Sequence, residues 1–251
     1  PAVVQSPANA DAACTGGTAP AVEGVTLTLC YQRNFTVGGN NRVVRVWYTT
    51  DTATYTVDGE SYVHGVTGEA QASDVADAVV EAWQAVFSHS AIGGHTAHEP
   101  YIDGCSSVLN IQLRDGKGWS GIAYWGSPGN CNIGIDAPMI SNGVGTGDDG
   151  VVFHEVQHYT QYSYNDGCYA DFQPLYSAGN AWIEGWANLA GKNATNAAND
   201  ADYSVSSYNS DNSYYDLDYT DLHAMYLIQQ FGGNGAPGDA AFGVKAVYEH
   251  Y

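Results

Sequence analysis

Gly150-Val151-Val152-Phe153-His154-Glu155-Val156-Gln157-His158-Tyr159 is the stretch on which the reading of this chain turns. It sets His-Glu-x-x-His inside an apolar run. In a helix, residues 154 and 158 are about one turn apart, so both imidazoles project from the same face. Two imidazoles at that separation can share one zinc ion, and Glu155, beside the first, can reach a metal-bound water as general base. The rival reading is two histidines on a surface helix. Asp148 and Asp149 suit the N-terminus of the helix by hydrogen bonding and by charge, and the pattern predicts a helix to about residue 162.

Catalytic zinc usually takes three protein ligands and leaves a fourth position for water. A third histidine six residues after His158, with a glycine midway, is excluded, because Gln161 and Tyr164 occupy those positions. A downstream aspartate, Asp166 or Asp171, falls in a turn rather than on a packed element. The segment Ala181-Trp182-Ile183-Glu184-Gly185-Trp186-Ala187-Asn188 supplies the better candidate, a single carboxylate in an apolar, aromatic helix. Burying Glu184 alone would cost several kcal/mol, whereas a zinc neighbour makes its burial favourable. Gly185 and Ala187 would let that helix approach the first one closely. Asn188, one turn further on, is a candidate to fix the tautomer of a ligand histidine; an exposed helix asparagine is the alternative.

Outward from this site, composition narrows the classes. Seven Lys and Arg against 27 Asp and Glu give a formal charge of −20, which argues against nucleic acid and anionic membranes as partners. No apolar run approaches the ~20 residues of a membrane helix. The five cysteines, Cys14, Cys30, Cys105, Cys131 and Cys168, form no Cys-x-x-Cys pair. Their wide spacing reads as disulfides in a secreted or cell-surface protein. Cys14–Cys30 and Cys105–Cys131 are the pairs that proximity suggests, with Cys168 left over. Asn34 and Asn193 match the N-glycosylation pattern. The expected picture is a mature chain from which an export signal has been removed.

Residues 1–22, rich in small residues, read as an extended arm that Cys14 would pin and that can also bind a neighbouring subunit. Residues 25–36 and 43–50, joined by Gly38-Gly39-Asn40-Asn41, read as a β-hairpin, and residues 52–57 as a further strand. Ser73 and Asp74 offer N-cap oxygens for a helix over 75–87 with Val75, Val79, Trp83, Val86 and Phe87 buried. Residues 107–113 and 132–135 read as short strands in an otherwise Gly-rich region. Helices are expected over 180–190 and 219–231, the latter stopped by Gly232-Gly233. His89, His95 and His98 lack the spacing and the carboxylates of a second metal site. The expected fold class is α+β in one compact unit: the arm 1–22, a β-rich N-terminal lobe 23–147, and a helical zinc-binding lobe 148–251, with the zinc cleft between the lobes.

His-Glu-x-x-His followed by Glu184-Gly185-x-Ala187 resembles the gluzincin metallopeptidases, and specifically the secreted MXAN-type group. The matching positions are 46–51, the helix near 75–87, 154–161, 182–187 and 219–232. The loop after Asp51 departs from the family pattern. The resemblance implies a zinc peptidase whose transition-state partner is a tyrosine or histidine of the C-terminal lobe, with His223, Tyr219 and Tyr226 as candidates. It also implies an edge strand that pairs with extended peptide substrate, for which residues 107–113 are the candidate.

Two functions follow. The first is a secreted zinc endopeptidase acting on protein or peptide substrates, with Glu155 as general base. The second is a structural, adhesive or filament-forming surface protein built on a peptidase-like fold, assembling through the arm. A purely structural zinc site has no use for Glu155 as a base. Calcium is a further candidate ion, with Asp200, Asp202, Asp211, Asp216, Asp218 and Asp221 as oxygens. No EF-hand or nonapeptide pattern accompanies them, so a solvated acidic surface is the simpler expectation.

Overall fold

The computed structural model describes residues 12–20, 26–51, 54–63, 68–88, 108–116, 120–124, 132–140, 149–164, 187, 190 and 191. The chain divides into two compact units, Pro1–Glu81 with Gly104–Asp148, and Ala82–Asp103 with Asp149–Tyr251. The fold is mixed, with strands and helices in one chain.

In chain order the elements are β1 (Ala12–Ala13), β2 (Leu29–Val37), β3 (Asn40–Tyr48), β4 (Thr54–Val57), β5 (Glu60–Val63), α1 (Glu69–Ser88), β6 (Val108–Arg114), β7 (Gly121–Tyr124), β8 (Asn132–Asp136) and α2 (Asp149–Tyr164). Among the described residues, strands β4 and β5 pair only with each other, and the other six strands form a sheet ordered β1-β2-β3-β6-β8-β7. β3, β6 and β8 are mutually parallel, whereas the β1–β2, β2–β3 and β7–β8 pairs are antiparallel.

The expected hairpin forms with Gly38 and Gly39 as its two turn residues, at φ 55° and 80°. Two successive left-handed residues are the turn that matches strand twist, and glycine takes that conformation without a Cβ penalty. Asp58 and Gly59, at φ 50° and 81°, close the β4–β5 hairpin in the same way.

Cross-strand register assigns the two faces of the large sheet. Tyr31 lies opposite Val46 and Arg33 opposite Val44; Val44 and Val46 pair with Leu109 and Ile111; Ile111 and Leu113 pair with Ile133 and Ile135. These aliphatic side chains are buried to within 2 % of full burial, each contributing about 1.5–3 kcal/mol. Helix α1 meets this face, because the Ser73 hydroxyl donates to the Tyr31 hydroxyl at 2.9 Å and Asp77 pairs with Arg33. Val75 and Val79 are buried, as the stripe predicts, and so is Trp83.

The opposite face carries Gln32, Arg45, Trp47 and Asn110. The indole N–H of Trp47 donates to Asn110 at 2.9 Å and Arg45 donates to Gln32 at 3.0 Å. The described part of the N-terminal arm covers this face rather than extending freely. β1 pairs with Tyr31 and Gln32, Cys14 is disulfide-bonded to Cys30, and the Arg45 guanidinium donates to the Thr15 carbonyl at 3.2 Å. Leu27 packs on Trp47 with Ala19 and Cys30. A cavity of about 450 Å³ is lined here by Cys14, Tyr31, Trp47, Tyr48 and Glu69 among others. Burial, with the Glu69 charge adding, holds the Tyr48 phenol above its usual pKa.

Two expectations are corrected. The strand expected over residues 107–113 is not an edge: β6 lies between β3 and β8, so both its sides are occupied. The far edge is β7, hidden in the sequence by its Gly-rich surroundings. Helix α1 begins at Glu69, four residues ahead of the expected cap. Gly68 is the cap, and its N–H donates to the Gln71 side chain at 2.8 Å while its carbonyl accepts from Ala72. That is a capping-box arrangement with glycine at the cap; Ser73 is spent on Tyr31 instead.

Candidate metal centre

Between Val152 and Thr160 helix α2 is buried almost all round. Val152, Phe153, Val156 and Tyr159 are buried apolar positions, and Glu155, Gln157, His158 and Thr160 are buried polar ones. The Thr160 hydroxyl is satisfied by donating to the Val156 carbonyl at 3.4 Å. From Val152 to Thr160, His154 is the residue that keeps access to solvent, its side chain 19 % exposed against 5 % for Glu155. Glu155 and His158 are buried and His154 is partly buried within five residues, and ionisable groups so placed cost stability unless they share a ligand or partners.

The geometry agrees. His154 Nε2 and His158 Nε2 are 3.1 Å apart, with the rings edge to face and centroids 4.7 Å apart. Two nitrogens each about 2.05 Å from a tetrahedral zinc stand about 3.3 Å apart, so the pair needs almost no adjustment to hold one ion. Glu155 Oε1 is 3.8 Å from His154 Nε2. One ligand atom from each of His154, Glu155 and His158 falls within a 4.8 Å group. Two imidazole nitrogens at this separation are donors that zinc accepts, and the Glu155 carboxylate beside them is within reach of a further ligand of the ion, so the residues present fit the metal.

Ala187, Ala190 and Gly191 have helical backbone and are buried. Gly191 stands so close to the Gly150 carbonyl that a Cβ there would overlap it. A helical segment thus meets the N-terminal turn of α2 backbone to backbone. Close approach was expected from Gly185 and Ala187; the glycine that makes it in the described residues is Gly191.

Of the residues singled out in the sequence, His154, Glu155 and His158 are brought together. Cys14 and Cys30 form the expected disulfide, with Cα atoms 5.5 Å apart. Glu184, Asn188, Tyr219, His223, Tyr226, Cys105, Cys131, Cys168, the three histidines after α1 and the acidic positions after residue 199 lie outside the described residues. No described helix is long and apolar enough to cross a membrane. One residue the sequence reading passed over is Gln157. It is 1 % exposed, and neither of its amide atoms has a hydrogen-bond partner among the described residues. The sequence held no local signal for it, because its burial depends on what packs around α2.

No family model matches the chain, and neither a curated protein nor a solved structure is similar enough to match it.

Proposed function

We propose that this protein is a secreted zinc-dependent peptidase of gluzincin type. The observation that carries the reading is the convergence of His154, His158 and the buried Glu155 on one point of α2. His154 and His158 would hold the ion, with Glu184 as third ligand. Zinc, when bound, supplies Lewis acidity that polarises a peptide carbonyl and acidifies water. Glu155 then takes the proton of the attacking water on a carboxylate oxygen and returns it to the leaving nitrogen.

On this proposal Glu184 lies on the segment that meets Gly150 at Gly191. It precedes Gly191 by seven residues, as Gln157 follows Gly150 by seven, and seven residues are about two helical turns. Were that segment helical back to position 184 and antiparallel to α2, position 184 would stand level with position 157. Asn188 would then stand level with His154. The disulfide at Cys14–Cys30 supports an oxidising, extracellular setting.

The test combines metal analysis with assay of peptide hydrolysis. Glu155→Gln should keep stoichiometric zinc and lose activity by about 10²–10⁴-fold, and Glu184→Ala should lose the zinc. Undiminished hydrolysis by zinc-loaded Glu155→Gln would overturn the mechanism.

A further inference from the structure

Gln157 is buried in α2 between the two imidazole-bearing turns, and its amide has neither donor nor acceptor matched among the described residues. In helical projection, with about 100° per residue, Gln157 falls about 80° to one side of the line bisecting His154 and His158. Glu155 falls about 80° to the other side. The face that carries the metal-ligating nitrogens is therefore flanked by two buried polar side chains, one acidic and one amide.

Burying an unmatched amide is unfavourable, and a methionine or leucine would fill the same space without that cost. Such a group in a native interior calls for a partner. Metal-site chemistry provides one, because the atoms that complete a zinc shell beyond two histidines are oxygens, and outer-shell hydrogen bonds to such ligands tune metal affinity. We propose that Gln157 is a positioning residue whose amide N–H groups donate to an oxygen of the zinc coordination shell, so that its buried donor is matched when the metal binds. This rests on the zinc reading above. The oxygen is either the carboxylate of the third ligand or a ligand water, and both present the same acceptor.

The decisive variant is Gln157→Met, which keeps volume and removes the polar atoms. Zinc affinity is measured by competition with a chromophoric chelator, and thermal unfolding is followed on the metal-free chain. The expected result is zinc affinity weakened about 10–100-fold, with the metal-free variant at least as stable as the metal-free wild type. A merely structural glutamine would not produce that opposition. Zinc affinity within about twofold of wild type, or a metal-free variant that melts lower or fails to fold, overturns the inference, since the amide then serves the metal-free fold. Gln157→Glu separates the two acceptors. An added carboxylate that weakens zinc binding beyond the methionine variant assigns the ligand carboxylate, and one that weakens it less assigns a ligand water. Wild-type protein that binds no zinc overturns the peptidase reading as well; wild type and Gln157→Met binding zinc alike overturn this inference alone.

Discussion

His154 Nε2 stands 3.1 Å from His158 Nε2, one helical turn along α2. Two imidazole nitrogens that close leave no room for an intervening side chain and suit a single shared ion. Replacing either histidine by alanine removes one donor while leaving the other in place. Each variant should therefore bind zinc more than 100-fold more weakly, roughly beyond the range of an outer-shell change. Acid should release the metal from the wild type, because protons compete for the same nitrogens. Equilibrium dialysis against buffered zinc reads both effects, and retention of stoichiometric zinc by both alanine variants would dissolve the site.

Gly191 faces the Gly150 carbonyl with no space for a Cβ. A glycine-to-alanine change inside a helix ordinarily stabilises by about 1 kcal/mol. Here the added methyl must push two backbones apart, an overpacking cost of about 1–3 kcal/mol. Gly191→Ala should therefore destabilise the protein in urea unfolding, against its helix propensity. A gain in stability would show that the two segments separate freely.

The legible parts of this chain were those with local causes. The His-Glu-x-x-His spacing fixes both imidazoles on one helical face whatever surrounds it, and paired glycines at 38 and 39 fix a tight hairpin. Strand order was not legible. Residues 108–114 have the same apolar alternation whether at an edge or between β3 and β8, because pairing partners are chosen by distant chain. The start of α1 was missed because a glycine, Gly68, caps it with its N–H held by the Gln71 side chain, whereas Ser73 has the better cap propensity and a different partner in Tyr31. The buried amide of Gln157 was invisible for a related reason. In sequence it is one of the two variable positions of His-Glu-x-x-His, and only the burial of the 152–160 stretch of α2 gives it significance.

The disulfide between Cys14 and Cys30 closes a loop with a sequence separation of 16. Chain-entropy arguments put such a link at about 3 kcal/mol. Its effect is local as well, because β1 and the Arg45–Thr15 hydrogen bond are held on the same side of the sheet. A Cys14→Ser, Cys30→Ser variant should unfold at lower urea, with fluorescence near Trp47 more quenchable where Leu27 and Ala19 loosen their cover. Unchanged stability under reducing conditions would mean that strand pairing alone holds the arm.

Asp136 closes the β8 end of the sheet, its carboxylate accepting from the Gly116 N–H at 2.7 Å and the Met139 N–H at 3.1 Å. Burial nonetheless raises its pKa above the ordinary 3.8; the two N–H bonds pull it down by less, and the Asp115 charge raises it further. A group whose folded pKa is raised favours the folded state most fully below its unfolded pKa, and that contribution fades as pH rises through the folded value. Asp136→Asn lacks the titration but also loses one of two acceptor oxygens, leaving an N–H opposite an amide NH₂. The variant should be less stable than wild type near pH 3.8, and the gap should narrow as pH rises, because only the wild type then takes on a buried charge. Urea unfolding of both proteins across that range gives the answer directly. A gap that widens with rising pH would show that the ionised carboxylate, not the protonated one, is the form the fold prefers.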